Sequence, residues 1–346
     1  MEAASLPDTP SRTPPGRSVL TALNENILWV LLALPLLYYF VKDPTQTLDD
    51  VKTGLSNGTI WALIALGYTL VYGIIELINF AHGEVFMIGS FVATSIWATM
   101  GVTAASSVAA IVGSIIVGLA VAMLASGSLN TMIERVAYRP LRNAPKLAPL
   151  ISAIGMSFIL QNVGLLWRPT PDSVPDLIKS QQSVFTIFDV AVERSDIFAV
   201  VVTVPLLVAL LWFVGQTKYG KAMRATAQDP DAARLMGIDI DRTISLTFML
   251  GGLLAGAAGM IYALYNGTIQ FNQGFTAGLI AFTAAVMGGI GNLKGAVIGG
   301  LIIGVIQAIS DTHYGGIWTP AVVFAILILV MVFRPQGLFG EETREG

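Results

Sequence analysis

From Gly58 to Met100 nearly every residue is apolar or small, and the same pattern returns down to residue 333. Apolar runs of about 18 residues or more span a bilayer as helices. Lipid offers the backbone no hydrogen-bond partners, so each run must satisfy its own N–H and C=O groups, and helices do so. The alternation of a membrane barrel is absent. The charged share of 12% is half that of a soluble chain, and 54% of residues are hydrophobic. The expected fold is an all-α polytopic membrane protein with about ten apolar segments: 26–41, 56–75, 82–100, 106–126, 149–167, 197–214, 244–265, 277–290, 295–309 and 317–333. The first is an extra N-terminal helix; the remaining core has eight or nine helices, some of them broken.

The flanks divide accordingly. Residues 1–25 are polar and carry Pro7, Pro10, Pro14 and Pro15, which predicts a disordered cytoplasmic tail. Residues 26–50 read as the extra segment and an external linker, 51–340 as the membrane domain and 341–346 as a cytoplasmic tail. Segment 26–41 could also be a signal sequence, but no small-residue cleavage motif follows it closely. Orientation comes from lysine and arginine. With the N-terminus inside, 14 of the 19 basic residues fall on the inner side. Both termini are therefore expected in the cytoplasm.

Other functions are excluded by composition. A net charge of −3 leaves no broad basic surface for nucleic acid. No cysteine means no disulfide and no thiolate metal site, and His82 and His313 alone make no metal site. No cofactor is expected.

Two segments are short. Residues 277–290 span only about 21 Å as helix, against a hydrocarbon core of roughly 30 Å; 295–309 is similar. Between them MGGIGNLKGAVIGG (287–300) holds six glycines. Gly288, Gly289, Gly291 and Gly295 could mark a broken helix beside a transport site. They could equally form a tight turn with close packing through Gly295/Gly299 and Gly300/Gly304.

INFAHGE (78–84) is the polar interruption of the longest run, with Asn79, His82, Gly83 and Glu84. No lysine or arginine lies between Lys52 and Arg135 to pair with Glu84. A carboxylate at the bilayer centre costs roughly 2.5–3.5 kcal/mol on insertion scales. Two readings stay open. The heptad is a turn at the inner face with Glu84 in the first turn of the next helix, or a helix break lining a polar path. A His82–Glu84 dyad is disfavoured, because i,i+2 residues do not face one another on a helix. Gln161 and Asn162, in another apolar segment, are second candidates for the path, or simply interhelical hydrogen-bonding groups.

On the inner side, KYGKAMRATAQDPDAARLMGIDIDR (218–242) carries helix signals. Asp229 suits an N-cap, Pro230 the first helical position and Gly237 a left-handed stop. A short helix at 230–236 follows, with another at 219–227. Arg224, Asp231 and Arg234 charge this loop, and two such helices suit docking better than a plain solvated loop.

NGTIWALIALGYTLVYGIIELINFAHGEVFMIGS, IERVAYRPLR, LISAIGMSFILQN, GKAMRATAQDPDAARLMGID, AFTAAVMGGIGNLKGAVIGG and RPQGLFG together resemble the permease subunits of branched-chain amino acid ABC transporters. The resemblance covers about 52–340; residues 1–50 depart from the pattern. It implies a bacterial inner-membrane assembly of two related permeases, two ABC ATPases and an external substrate-binding protein, moving a small polar solute. The chain lacks the Walker A pattern, so ATP would be bound by the partner subunits. Helix 230–236, with Asp229 and Gly237 at its ends, would couple to the ATPase, and INFAHGE would line the passage. Import of leucine, isoleucine and valine leads; a urea or short-amide permease is the alternative, and an ion-coupled secondary transporter a weaker one.

Overall fold

The computed structural model describes residue 30 and residues 33–340 except 143 and 146. The tails expected at 1–25 and 341–346, and the start of the first segment, lie outside the described residues. The helices are α1 (Ala33–Lys42), α2 (Pro44–Ile75), α3 (His82–Met100), α4 (Val108–Ile133), α5 (Leu147–Trp167), α6 (Arg194–Gln216), α7 (Lys218–Gln228), α8 (Pro230–Leu235), α9 (Ile240–Asn266), α10 (Gln273–Gly288), α11 (Leu293–His313) and α12 (Thr319–Phe333). Seven are long and apolar enough to cross a membrane. Together with the shorter apolar α1, α10 and α12 they account for all ten expected segments.

Three boundaries differ from expectation. The stretch read as an external linker is helix: Asp43 caps the chain by accepting from Gln46 N, Pro44 takes the first helical position, and α2 runs 32 residues from there. The segment expected at 295–309 extends to 21 residues, because Asn292 caps its start and the helix continues past polar Ser310 to His313. Of the two segments expected to be short, α10, at 16 residues, stays shorter than the bilayer core. Gly83 lies within α3 rather than in a break.

Four short strands complete the described chain. β1 (Asp172–Ser173) pairs with β4 (Thr268–Ile269), and β2 (Ser183–Ile187) with β3 (Val190–Glu193), all antiparallel. The β2–β3 turn is made by Phe188 and Asp189, both with left-handed φ. We call this the hairpin end of the molecule and the opposite one, with α7 and α8, the short-helix end.

The core is built around α2, α3 and α9. The most apolar window of α2 is 78% buried and that of α9 72%, against 17% in α4 and α5. Apolar helices gain nothing by leaving lipid for one another, so close backbone packing must hold them. Gly54 and Gly58 of α2 face Gly300 and Gly304 of α11, where a Cβ on Gly58 would stand 2.8 Å from the Leu301 Cα. Trp61 Nε1 donates to Gln307 Oε1 at 2.7 Å across the same seam. Gly299 meets the Ala284 carbonyl of α10 in the same way. The packing expected of these glycine pairs is realised.

The α10–α11 connection is a tight turn. Gly289 and Gly291 take φ values of +101° and +94°, which an L side chain rarely adopts. Gly288 and Gly295 close on one another across it. The RPQGLFG segment seals it: Leu338 N–H donates to Met287 O at 2.7 Å, and Asn292 Nδ2 to Phe339 O at 2.8 Å.

Candidate functional site

INFAHGE sits between α2 and α3. The α2 helix stops where Glu76 turns left-handed, φ 53°. Residues 77–81 follow an irregular path, and α3 starts at His82. Asn79, His82 and Glu84 are each at most 1% exposed, so the heptad is deep in the protein rather than a solvated turn.

Asn79 is fully engaged. Its Nδ2 donates to Asn130 Oδ1 at 3.0 Å, and its Oδ1 accepts from Ala81 N at 3.2 Å and Tyr138 Oη at 3.1 Å. Asn130 in turn donates to Phe248 O at 2.6 Å. This knot ties the break to α4, to the π-helical turn Glu134–Tyr138 and to α9. Below it Glu134, fully buried, pairs with Arg142 and accepts from Ser245 Oγ at 2.6 Å, while Asp241 takes both Arg139 and Arg142.

His82 fills a slot between α2 and α9. A Cβ on Gly67 would collide with its Nε2, and one on Gly251 would touch its Cε1 at 3.5 Å. The Tyr68 ring meets it edge-on at 4.9 Å. Neither imidazole nitrogen has a hydrogen-bond partner among the described residues. The missing Cβ atoms at 67 and 251 make the space the ring occupies.

Glu84 is placed differently. Oε1 accepts from Ser157 Oγ at 3.4 Å, a long bond, and Oε2 has no partner among the described residues. A Cβ on Gly274, in the first turn of α10, would strike that free oxygen. The amino-terminal turns of α3 and α10 thus converge on one carboxylate, each favouring negative charge there. Gly83 lets them approach, since a Cβ on it would lie 2.8 Å from Gly278 Cα. Gln273, 5% exposed, donates to Ser90 Oγ at 2.6 Å, which places the start of α10 beside the middle of α3.

In front of Ser157 lies a cleft between α5 and α10. Phe80, Phe158, Phe275 and Phe282 give it aromatic walls; Tyr68, Ser157 and Gln161 give it polar atoms. Ser157 and Gln161 are four apart on α5 and so share one face of a mostly apolar helix, and that spacing was the readable sign of Ser157. Tyr68 and the four phenylalanines had no such sign, because aromatic residues are ordinary in apolar helices. Asn162 does not join them. It is exposed and donates to Phe158 O of its own helix at 2.8 Å, since one residue past Gln161 the side chain points about 100° away.

At the short-helix end the expected pair is present. Asp229 accepts from Asp231 N and Ala232 N, both at 2.9 Å, and Gly237 has φ +84°. Asp231 and Arg234 are exposed, and Leu235 and Met236 stand 89% and 84% exposed at the tip. Arg224 is used within the chain: its guanidinium holds the Val214 and Gly215 carbonyls at the end of α6, where a cation is favoured.

Over residues 51–332 the sequence matches the family described as branched-chain amino acid transport system / permease component. The chain belongs to this family. BraD of Pseudomonas aeruginosa, a high-affinity branched-chain amino acid transport system permease protein, is 40% identical over 304 residues, covering 86% of this chain and 97% of that one. LivH of Escherichia coli K12, which carries the same description, is 43% identical over 301 residues with the same coverage. The galactose/methyl galactoside import permease protein MglC of Escherichia coli K12 is 25% identical over 313 residues, 85% of each chain. The chain is a multi-pass membrane permease component of a transport system, and the family match contains INFAHGE, the aromatic cleft and the short-helix loop.

Proposed function

We propose that this permease imports branched-chain amino acids past the α5–α10 cleft, with Glu84 receiving the ammonium group and the phenylalanines the apolar side chain. The observation that carries it is a buried carboxylate with one oxygen unpartnered among the described residues and the other held by Ser157, which lines a cleft walled by four phenylalanines. A carboxylate kept this way in a membrane protein is costly, and such residues face pathways or partners. The names of the relatives support the solute class. Urea or a short amide would leave the aromatic walls without a matching surface, so the cleft favours the amino-acid reading.

In the same proposal a second related permease completes the path, since α5 is a peripheral helix and the cleft opens along it. Two ABC ATPases energise the cycle and an external binding protein delivers the solute. The exposed Leu235–Met236 tip of α8 enters the ATPase, framed by Asp229, Pro230, Asp231, Arg234 and Gly237. The basic-residue bias supports a cytoplasmic short-helix end, cytoplasmic termini and an external hairpin end. The membrane domain then begins at Pro44, with α1 as an accessory.

Reconstitution tests it. With partner permease, ATPases and binding protein in vesicles, ATP should drive leucine uptake. Leu235→Asp combined with Met236→Asp should abolish uptake while the chain still inserts. Concentrative uptake by this chain alone on an ion gradient would overturn the reading.

A further inference from the structure

We propose that a groove at the hairpin end, between the first halves of α4 and α6, binds an anionic membrane phospholipid. The α4 helix packs on α9 and α3, and α6 on α2 and α9. Their first turns stand apart, and the space between them is a groove. Ile111 and Ile115 form one wall, Ile197 and Val201 the other, and the segment from Leu177 to Val184 closes the top. Val112, Ile116 and Val201 are exposed, as side chains that meet acyl chains would be.

The charges at the mouth set the ligand. Lys179 and Arg194 both line this groove, both are exposed, and neither side chain has a hydrogen-bond or ion-pair partner among the described residues. Two other basic residues at this end, Lys52 and Arg168, are neutralised. Lys52 lies between Asp49 and Asp196, at 2.9 and 3.4 Å. Arg168 pairs with Asp172 and donates to Ser95 Oγ at 2.9 Å. Arg194 begins α6 and Ile197 and Val201 follow one and two turns below it, so the cation stands above an apolar wall about 10 Å deep. Phosphate at the level of Lys179 and Arg194 with an acyl chain beneath matches this order. A soluble acidic partner would meet the two cations and leave the wall unfilled.

Native mass spectrometry of the full-length chain in detergent tests this, with phosphatidylglycerol and phosphatidylcholine of matched acyl chains as probes. Phosphatidylglycerol should be retained about thirtyfold better, from two cations at the headgroup level. Lys179→Gln combined with Arg194→Gln should equalise the two lipids, and Arg194→Lys should keep the preference. Val112→Trp combined with Val201→Trp fills the groove and should lower retention of both lipids. Helix content by circular dichroism checks that each variant is folded. Equal retention by the unmodified chain overturns the proposal. So does a preference that survives the double glutamine change, or a double change that leaves lipid alone but weakens capture of the external binding protein.

Discussion

Asn79 and Glu84 lie five residues apart in one heptad, equally buried, and the structure treats them in opposite ways. Asn79 has both ends of its amide bonded, to α4, to the following loop and to Tyr138. Glu84 has one long bond and an oxygen with no partner among the described residues. A break in a membrane helix needs groups that satisfy freed backbone and lock the geometry. Passage of a polar solute needs a group whose capacity is unspent. The heptad supplies the two separately, so a lock and a candidate contact should fail differently when mutated.

The largest effect is expected at the lock. Asn79→Leu leaves Asn130 Oδ1 without its donor and Tyr138 with only its 3.3 Å bond to Ile78 O, in a buried site where a lost partner costs about 1–3 kcal/mol. Thermal unfolding in detergent should fall well below that of the unmodified chain, and uptake should fall with the amount of folded protein. A transport loss at unchanged stability would make Asn79 a contact and erase the distinction.

Glu84→Gln should do the reverse. Its stability should be unchanged or higher, because a carboxylate is exchanged for a neutral amide of similar size. ATP-driven leucine uptake should drop about tenfold to a hundredfold, the range for losing a charge-assisted hydrogen bond worth roughly 1.5–3 kcal/mol. Intact uptake in that variant would return Glu84 to a helix-terminus role.

Smaller still is Ser157→Ala, which removes a single long bond. Uptake should change by about twofold to tenfold, in line with a net hydrogen-bond contribution of roughly 0.5–1.5 kcal/mol. Asn162→Ala, on the next residue face, should change neither stability nor uptake. If the two behave alike, α5 does not present the face of Ser157 and Gln161 to the solute.

What the sequence could and could not say follows the range of the forces involved. The ten apolar segments were legible because spanning length and hydropathy are local properties. So was α8, whose cap, proline and glycine stand within nine residues. The family was legible from six motifs. Depth was not: by its neighbours INFAHGE reads as either an inner-face turn or a lined helix break, and the packing of α4, α9 and α10 is what buries it. Which polar groups are satisfied depends on partners such as Asn130, 51 positions away, and Ser157, 73 away. The start of α2 was misplaced for a related reason. Residues 44–55 are polar enough to resemble a linker, while Asp50 is held by Thr312 and Gln46, and Lys52 by Asp196 and Ala191 O.

The clamp on the α10–α11 turn has a consequence for how the protein is made. Asn292 is synthesised 47 residues before Phe339, whose carbonyl it holds. At ribosomal rates of about 5–20 residues per second, roughly two to nine seconds separate the turn from its clasp. During that interval the nascent hairpin must keep its shape in the bilayer by its own means. The glycine contacts between Gly288 and Gly295, and between Gly299 and Ala284, are internal to the hairpin and available at once. The first fastening therefore works during translation, and the second arrives in time to make it permanent.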